Sequence, residues 1–449
     1  MAHWWEQAFF YHIYPLGFCG APQSNSFEGE PVDRLHLIER ALPAVEAAGC
    51  NAIYLGPALE SSSHGYDTAD YYWVDRRLGD EAALQSLVGS IHERGMRVIL
   101  DGVFHHVGRD FWAFQKLKEE GEGSPYVSWF RGVDFSADNR FGDGFVYHAW
   151  EGNEDLVALD LTNDEVVDHL LGAVEWMIQG LGIDGLRLDV AYLLEPSFME
   201  RLRSFTDRVG EDFWLMGETI HGDYTELVRP NRLHSVTNYE CYKGLWSSHN
   251  DGNYFEIAHS LERQFAPGGI YEGMLLYNFA DNHDVDRVAS VLDEPAHLFS
   301  LYALLMTMPG IPSVYYGSEY GIRGRKQNGD DRGLRPRWED IDRSNDELAD
   351  YLLQLQRIRQ ASPALRVGAY RGLHVEHETF VFERSVEGEV VIVGVNARGE
   401  QTEIELNEPA FGDGKLVSVY DASRSVEARN GTATLPIPAY GYEVVRLEV

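Results

Sequence analysis

The segment GIDGLRLDVA, residues 182–191, places two opposite charges inside a pattern typical of a buried strand. Leu186 and Leu188 alternate with Arg187 and Asp189, so the guanidinium and the carboxylate point to the same side of the strand. A structural salt bridge is one explanation, but a buried ion pair loses hydration that its mutual attraction often fails to restore. The pattern therefore favours a catalytic pair at the end of the strand.

Acidic and histidine side chains mark three further strand-like segments. Asp101 and His106 begin and end DGVFHH, Glu218 lies in GET, and His283 and Asp284 lie in NFADNHD. If these strands are parallel neighbours in a barrel, side chains at their carboxyl ends converge on one face. The positions therefore predict one site built from carboxylates, imidazoles and a guanidinium.

The elements that must position these residues alternate between strands and helices. Helical patterns occupy most of the gaps between eight strand-like segments, which favours a parallel sheet. The segments are AFFYHIYP, NAIYLGP, MRVILDGVF, IDGLRLDVA, FWLMGET, SVTNYE, MLLYNFADNHD and GIPSVYYGSE. Eight such units predict an α/β fold, a closed (β/α)8 TIM barrel, in which catalytic groups project from the carboxyl ends of the strands.

Two stretches of sequence interrupt this alternation. Residues 107–160, rich in Gly, Asp and aromatic residues, follow the third strand and predict a small inserted domain. From residue 366 the pattern changes to short strands such as TFVFER and EVVIVGVN, which predict a C-terminal antiparallel β-sandwich over 366–449. The barrel is then expected to span 1–106 and 161–365.

The charge balance limits the partners of the chain. It has 37 Lys and Arg against 72 Asp and Glu, a formal net charge of −35. Such a surface repels nucleic-acid phosphates and anionic lipid, so we expect a neutral substrate such as a sugar, no nucleic acid and no membrane. Three widely spaced cysteines, the lack of a basic leader and the lack of an apolar run of about 18 residues predict a cytoplasmic protein.

The histidine pair in FHHVG raises an alternative, a metal-dependent hydrolase. Adjacent residues of an extended strand point to opposite faces, so His105 and His106 are not expected to share one ion. The three cysteines form no CxxC pair either. The sequence therefore predicts neither a metal site nor a cofactor.

Four motifs carry a resemblance to a known family. DGVFHH, GLRLDVA, GET and NFADNHD, in this order, resemble the four signature segments of the α-amylase superfamily, glycoside hydrolase family 13. SSSHGYDTADYY, GCNAIYLGP and GIPSVYYGSEYG are similar to further stretches of that family, so the resemblance covers nearly the whole chain. HGYDTADYY and DGVF resemble the branch of neopullulanases, cyclomaltodextrinases and maltogenic amylases.

The resemblance implies a pair of catalytic carboxyl groups. Retaining hydrolysis of a glycosidic bond uses a nucleophile and an acid/base about 5 to 5.5 Å apart, a spacing that adjacent barrel strands can supply. By resemblance Asp189 is the nucleophile, Glu218 is the acid/base, and Asp284 binds sugar hydroxyls and stabilises the transition state. Arg187 is expected to lower the pKa of Asp189 and to orient it, whereas Glu218 is expected to stay protonated.

The same resemblance implies substrate-binding residues around this pair. Some bind hydroxyls or the ring face of the first sugar, others clamp the next sugar, and one lines the leaving-group side. They are His106 and His283 for hydroxyls, His64 and Tyr66 for the first sugar and its ring, Asp331 and Arg335 for the next sugar, and His221 for the leaving group, together with Asp101 and Arg187.

Three departures from the family pattern carry expectations of their own. His105 stands where the family usually has an Asn that ligates a structural calcium in many α-amylases, so no calcium is expected there. Ile220 stands where many relatives have Trp, which predicts an altered leaving-group side. The first barrel strand begins near Ala8, which predicts a chain without the N-terminal β-domain of this branch and leaves a homodimer open.

The expected function is hydrolysis of α-glucosidic bonds in small linear, cyclic or branched maltooligosaccharides through a covalent glycosyl-enzyme intermediate. The expectation includes cyclodextrins and cyclic maltosyl-maltose. A transglycosylase or an α-glucosidase of the same family is the alternative, because the intermediate is shared. A catalytically inactive, amylase-like binding protein is the alternative from another class, and the presence of all three carboxylates argues against it.

Overall fold

Eight parallel strands form the centre of the computed structural model, which describes residues 3–210, 212–327, 329–344 and 346–448. Each strand is short and almost wholly buried, as expected for a parallel sheet that is covered by helices. The strands are β1 Phe10–Ile13, β2 Ala52–Leu55, β3 Arg97–Gly102, β4 Gly185–Leu188, β5 Trp214–Gly217, β6 Ser235–Val236, β7 Tyr277–Phe279 and β8 Ile311–Tyr315.

The eight strands close into a ring. Strands β1 to β6 are hydrogen-bonded in chain order, β8 lies beside β1, and β7 lies beside β8. A parallel bridge from Thr237 to Tyr277 joins the end of β6 to β7. The predicted (β/α)8 barrel is therefore confirmed.

Helices connect most of the strands on the outside of the barrel. The long helices are His36–Ala47, Glu81–Glu93, Asp164–Trp176, Pro196–Val209, Tyr239–Asn250, Phe255–Phe265, His297–Thr307 and Glu347–Gln360, and the short ones are Pro15–Phe18, Val288–Val291 and Pro363–Val367. The connection from β5 to β6 departs from the alternation, because over residues 218–234, all of which the structure describes, it contains only the 3-10 turn Tyr224–Glu226.

The helix Glu81–Glu93 illustrates how the sequence specifies these elements. Its first turn is capped by Asp80, whose side chain accepts a hydrogen bond from the Ala83 N–H at 2.9 Å. Gly95, with φ at 72°, follows its end in the left-handed conformation that glycine adopts without strain. Four residues at helical spacing are buried against the barrel: Leu84, Leu87, Val88 and Ile91.

The barrel interior is a packed core. Its apolar layer consists of Trp5, Ala8, Phe10, Ala52, Tyr54, Ile99, Trp214, Met216, Tyr277, Phe279 and Ile311. The next inward-facing positions along three strands are polar and buried, namely His12 on β1, Asp101 on β3 and Arg187 on β4. The polar site therefore rests on an apolar floor, at the carboxyl ends of the strands.

The segment after β3 forms a small antiparallel sheet. Its strands are His106–Gly108, Asn153–Ala158 and Ala149–Trp150, in this spatial order, and the helix Trp112–Glu120 lies within the same segment. A short hairpin also follows β2 and pairs Leu59–Ser61 with Thr68–Val74. This sheet and the helix lie where the sequence predicts a small inserted domain, and the bounds 107–160 of that domain stay a prediction.

The last part of the chain forms the predicted C-terminal β-sandwich. Its two antiparallel sheets share one apolar core, to which Val381 and Ile392 contribute from the larger sheet and Ile404 and Leu435 from the smaller. The strands are Ala369–Val375, Thr379–Val386, Glu389–Asn396, Lys415–Ser418, Ser425–Glu427 and Tyr442–Glu448 in the larger sheet, and Thr402–Asn407 and Thr432–Ile437 in the smaller.

Two buried arginines lie at the joint between the barrel and the β-domain, and one of them, Arg384, bonds across it. Arg359, on the last barrel helix, donates hydrogen bonds to the carbonyl oxygens of Met306 at 3.0 Å and Leu365 at 2.9 Å. Arg384, on a strand of the β-domain, donates to the carbonyl oxygens of Thr307 at 2.8 Å and Leu365 at 3.1 Å. Met306 and Thr307 end a barrel helix, where carbonyl groups lack partners within the helix. Both cations therefore bind main-chain oxygens at the joint.

Cys19, Cys50 and Cys241 are free and buried. Throughout the described ranges, none of the helices combines the length and the apolarity needed to cross a bilayer.

Candidate active site

The ion pair predicted on β4 is part of a larger buried cluster. Arg187 Nη1 lies 2.8 Å from Asp101 Oδ1 and 2.7 Å from Asp189 Oδ1, and its Nη2 lies 2.8 Å from Glu218 Oε1. The most exposed of the four side chains, Asp189, is only 9% exposed. The strand register brings these side chains together, because Arg187 pairs with Asp101 on β3 and with Met216 on β5, two residues before Glu218. One guanidinium thus binds three carboxylates from three neighbouring strands.

Asp189 has one oxygen engaged by the protein and one that is open. Oδ1 accepts the Arg187 hydrogen bond, whereas Oδ2 faces His106 Nε2 at 3.9 Å, beyond hydrogen-bond distance. Burial raises the pKa of Asp189 well above its usual value, Arg187 opposes this, and Glu218 raises it further. Arg187 thus acts to lower the pKa of Asp189, as expected, but burial together with Glu218 and Asp101 outweighs it. One cation is shared among three carboxylates, so its effect on each of them is limited.

The residue after Asp189 has a strained backbone. Val190 has φ 41° and ψ 47°, a left-handed conformation that is rare for a β-branched residue and costs about 1–3 kcal/mol. Its N–H donates to Glu218 Oε2 at 3.0 Å, and the Ala191 N–H donates to the Glu218 carbonyl oxygen at 2.9 Å. The strained turn therefore connects the end of β4 to the end of β5 and fixes Glu218 beside Asp189.

Asp284, which follows β7, is held by two basic side chains. Its Oδ2 lies 2.9 Å from His283 Nε2, and its Oδ1 lies 2.9 Å from Arg335 Nη2. Arg335 Nη2 also lies 3.1 Å from Asp331 Oδ2. Burial acts to raise the pKa of Asp284, but His283 and Arg335 outweigh it and hold the pKa below its usual range. Asp284 is therefore an anion near neutral pH.

Tyr66 connects the Arg187 cluster to His283. Its hydroxyl donates to Asp101 Oδ2 at 3.0 Å and is hydrogen-bonded to His283 Nε2, while its ring lies parallel to that of His283 at 5.5 Å. His64 is fixed next to it, because His64 Nδ1 accepts from the Tyr66 N–H at 3.2 Å and the His64 carbonyl oxygen accepts from the Tyr14 hydroxyl at 2.7 Å. The aromatic side of the site is therefore held by hydrogen bonds as well as by packing.

A cavity of about 1100 Å³ opens onto this network. Its volume is slightly above the range of about 300–1,000 Å³ typical for small-molecule sites. Asp101, Arg187 and His283 lie behind its surface and are at most 3% exposed. The predicted residues that line it are His64, Tyr66, His106, Asp189, Glu218, Asp284, Asp331 and Arg335.

The backbone after β3 corrects one prediction. β3 ends at Gly102, and the next strand begins only at His106, so residues 103–105 are not part of a strand. The Nδ1 atoms of His105 and His106 consequently lie 3.2 Å apart, whereas an unbroken strand would have pointed the two rings to opposite faces. Burial lowers the pKa of His105 to about 4 and that of His106 to about 3. Both imidazoles are therefore neutral near neutral pH.

Over the described ranges of the chain, no three or more His, Cys, Asp or Glu side chains are grouped so that they could hold a metal ion. Among the described residues, His105 and His106 are therefore two imidazoles in contact and not part of a larger group of potential metal ligands.

His221 lies apart from the other predicted site residues. It lines a neighbouring cavity of about 730 Å³ together with His105 and Tyr192, and its ring centre lies 4.9 Å from that of Tyr192. It does not belong to the lining of the larger cavity. A role of His221 on the leaving-group side stays a prediction.

Sequence reasoning missed several residues of the larger cavity. Tyr14, Trp150, Tyr239 and Lys326 line it, and the Arg335 guanidinium lies 4.3 Å from the Tyr14 ring centre. Tyr14, Trp150 and Tyr239 were missed because aromatic residues near strands have the same sequence pattern as core residues. Tyr14 had one available signal, because it directly follows β1, as other site residues directly follow their strands.

Comparisons with known proteins agree with this architecture. The family model of the α-amylase catalytic domain matches residues 13–350. Neopullulanase 2 of Thermoactinomyces vulgaris is 30% identical over 464 residues, covering 97% of this chain and 77% of that protein. A cyclomaltodextrinase of Bacillus sp is 30% identical over 416 residues, covering 88% and 73%.

The fold has close counterparts among solved structures. The ligand-free cyclic α-maltosyl-(1→6)-maltose hydrolase from Arthrobacter globiformis superposes with a TM-score of 0.81 at 27% identity, covering 100% of both chains. Because the catalytic-domain model matches most of the chain and the barrel is shared, the chain belongs to the α-amylase family of glycoside hydrolases.

Proposed function

We propose that the chain is a retaining hydrolase of small α-glucans, with Asp189 as nucleophile, Glu218 as acid/base and Asp284 as the carboxylate that stabilises the transition state. The observation that carries the proposal is the shared guanidinium. Arg187 holds Asp189 at 2.7 Å and Glu218 at 2.8 Å, so two carboxyl groups from adjacent strands lie together at the wall of one cavity. A retaining mechanism needs two such groups close together.

In the first step Glu218 donates a proton to the glycosidic oxygen while Asp189 attacks the anomeric carbon. Asp189 Oδ2 suits the attack, because Oδ1 is engaged by Arg187 and Oδ2 is open. The bond from the anomeric carbon to the glycosidic oxygen breaks, and a glycosyl ester forms on Asp189. To donate the proton, one oxygen of Glu218 has to leave its N–H donor, Arg187 or Val190, and face the glycosidic oxygen.

In the second step Glu218 removes a proton from water, which attacks the anomeric carbon and releases Asp189. Both steps pass through a transition state with positive charge on the sugar ring. Asp284 supports this charge, because His283 and Arg335 keep it ionised at the wall of the cavity. A sugar hydroxyl acting as the acceptor in place of water would give transglycosylation from the same intermediate.

The proposed substrates are small linear, cyclic or branched maltooligosaccharides. Ile220 lines the cavity two residues after Glu218 and is 46% exposed, which supports the proposal that its side chain borders the leaving group. The relatives named neopullulanase, cyclomaltodextrinase and cyclic α-maltosyl-(1→6)-maltose hydrolase support this substrate class. We place the activity in the cytoplasm, which the three free, buried cysteines support.

The mechanism is tested with Glu218→Gln and Asp189→Asn. Glu218→Gln should lower turnover of an unactivated maltooligosaccharide by about 10² to 10⁴, the contribution typical of general acid–base catalysis. NMR of the first-formed product should show the α-anomer in the wild type. A β-anomer would contradict retention, and near-normal activity of Asp189→Asn would remove the proposed nucleophile.

The substrate class is tested by product chromatography over maltotriose, cyclodextrins, panose, pullulan, cyclic maltosyl-maltose, trehalose, sucrose and soluble starch. We expect a higher kcat/KM on the small maltosides than on starch. Ile220→Trp should change the ranking of the small substrates, because the indole would border the leaving group. Ile270→Trp is the matched control, since Ile270 is 45% exposed and lies outside the cavity lining. Starch outcompeting every small glucan would refute the substrate class.

A further inference from the structure

Arg77 is a buried arginine that the proposed mechanism does not use. It follows the hairpin strand Thr68–Val74 and is only 4% exposed. Its guanidinium binds the carboxylate of Asp75 in a bidentate contact, with Nε 2.9 Å from Oδ1 and Nη2 2.7 Å from Oδ2. This contact balances the charge of Arg77, and the remaining N–H groups donate to other acceptors.

Those acceptors lie on two loops that line the larger cavity. Nη1 donates to the carbonyl oxygens of Ser63 at 2.7 Å, Pro22 at 3.1 Å and Gln23 at 3.3 Å. Pro22 and Gln23 belong to the loop after β1, Ser63 belongs to the hairpin after β2, and all three line the cavity. Nη2 also donates to the Ser61 hydroxyl at 2.8 Å. One guanidinium thus holds the loop after β1 against the hairpin.

The other side of this loop packs on the segment after β8. A Cβ atom added at Gly17 would lie 2.6 Å from the carbonyl oxygen of Arg335, which is too close for any side chain, so the two backbones are in direct contact. The next ring along the loop, that of Phe18, is parallel to the ring of Trp338, with centres 5.1 Å apart and planes at 12°. Residues 17–23 therefore form a continuous wall between the hairpin and the segment around Arg335, the β1 wall.

The position of the β1 wall in the barrel relates it to the reaction centre. In the closed ring of eight strands, β1 lies four strands from β5 in either direction and is therefore opposite it. Glu218, the proposed acid/base, directly follows β5 and protonates the leaving oxygen, so the leaving group lies on the β5 side. The glucose units that stay bound to Asp189, the glycone, then extend towards the β1 wall.

We propose that Arg77 is a positioning residue that determines substrate length, because it fixes the β1 wall and the wall admits only a short glycone. The inference rests on the proposed function, since it concerns which bonds of a maltooligosaccharide reach Asp189 and Glu218. A planar guanidinium suits this task, because its fork of donors is rigid and binds several acceptors in fixed directions. A fixed wall favours bonds close to the non-reducing end and disfavours bonds deep inside a long glucan.

The test uses maltoheptaose that carries a pyridylamino group at its reducing end, so that the unlabelled first products report the length of the glycone. The wild type should release mainly unlabelled glucose and maltose. Arg77→Met removes the hydrogen bonds to the wall, and unlabelled maltotriose and longer products should increase. Sites discriminate by about 10–200-fold in kcat/KM between substrates that differ by one small group, so the ratio of long to short unlabelled products should rise at least about tenfold.

Arg384→Met is the matched control. Arg384 is also buried and also binds carbonyl oxygens, among them that of Thr307 at 2.8 Å, but it lies outside the cavity lining. Its loss should lower Tm and leave the product lengths unchanged. The double variant Asp75→Asn, Arg77→Met removes both charges of the buried pair, and it should show the product shift without leaving an unpaired carboxylate.

Three results would overturn the proposal: mainly long unlabelled products from the wild type, unchanged product lengths in both Arg77 variants, or an equal shift in Arg384→Met. Amide hydrogen exchange adds a readout that needs no substrate. The peptide that covers the β1 wall should exchange faster in Arg77→Met than in the wild type or in Arg384→Met, because the wall opens locally once it is released. Unchanged exchange would also overturn the proposal. If the wild type hydrolyses no α-glucan, the proposed function fails, and the exchange result alone decides whether Arg77 fixes the wall.

Discussion

Replacing Arg187 by Met should remove the single cation that three buried carboxylates share. The three contacts, at 2.8 Å to Asp101, 2.7 Å to Asp189 and 2.8 Å to Glu218, all involve side chains that are at most 9% exposed. Removing one partner of a buried ion pair costs about 3–5 kcal/mol, and here the remaining carboxyl groups can relieve the loss by taking up protons. We therefore expect Arg187→Met to lower the free energy of unfolding by about 3–5 kcal/mol near pH 8.

The loss should depend on pH in a defined direction. The folded-state pKa of Asp189 is already raised, and removing Arg187 raises it further, since Arg187 opposes the shift. A carboxyl group whose folded pKa exceeds its unfolded value of about 3.9 binds a proton more tightly when folded. Stability is then lost as the pH rises from about 4 through the folded pKa. The deficit of Arg187→Met should therefore be smaller near pH 5 than near pH 8.

The assay is urea-induced unfolding followed by tryptophan fluorescence, at both pH values, with midpoints compared because a chain of several domains need not unfold in two states. The control is Arg201→Met. Arg201 contacts Asp164 at 2.6 Å and Asp168 at 2.8 Å, but these partners are 86% and 72% exposed, so about 0–1 kcal/mol is expected. Equal midpoints for the two variants near pH 8 would refute the reasoning, and so would a deficit that is the same at both pH values.

Three further predictions concern stability and metal dependence. Glu319 is fully buried against the Tyr11 hydroxyl, and burial raises its pKa to about 7. As the pH rises from about 5 to 8, the free energy of unfolding of the wild type should therefore fall relative to that of Glu319→Gln, by up to about 3 kcal/mol. Thermal unfolding of both chains at the two pH values measures this difference. Val190→Gly should relieve a left-handed strain of about 1–3 kcal/mol, which offsets the loss of a side chain that is only 4% exposed and worth about 1.5–3 kcal/mol. The free energy of unfolding should therefore change by about 1 kcal/mol or less, while kcat falls because Glu218 is held less firmly; a loss above about 3 kcal/mol, the full cost of the side chain, would contradict the strain. Dialysis against a chelator should leave Tm and activity unchanged, since His105 replaces the family's oxygen ligand; a Tm loss restored by calcium would reveal a site.

The sequence carried enough information to locate the site but not to determine its electrostatics. Strand patterns and polar strand ends were sufficient to bring Asp101, Arg187 and Glu218 together, because parallel strands align their carboxyl ends. The effect of Arg187 on the pKa of Asp189 has the expected direction, but the net rise of that pKa could not be predicted, because a pattern shows neither how deeply a carboxyl group is buried nor how many carboxylates share one arginine.

Other errors came from features that periodicity does not encode. The orientation of His105 relative to His106 depends on where β3 ends, and residues 103–105 look as strand-like as the strand itself. The connection between β5 and β6 has no α-helix, which agrees with the expectation of helical patterns in most, and not all, of the gaps. Tyr14 and Trp150 were hidden because an aromatic residue that lines a cavity and one that fills a core have the same local pattern.

The arginine joint between the barrel and the β-domain has a consequence for building chimaeras. Arg359 and Arg384 are satisfied by carbonyl oxygens, which every amino acid supplies, so these hydrogen bonds specify where the main chain runs and not which residues it carries. Substitutions at the residues that supply these carbonyl groups therefore leave the hydrogen bonds in place. A β-domain transplanted from a relative has to keep an arginine at the position of Arg384 and the path of the chain near Leu365. It also has to keep Glu389, whose carboxylate accepts from the Ser362 hydroxyl at 3.0 Å and from the Ala364 N–H at 2.8 Å.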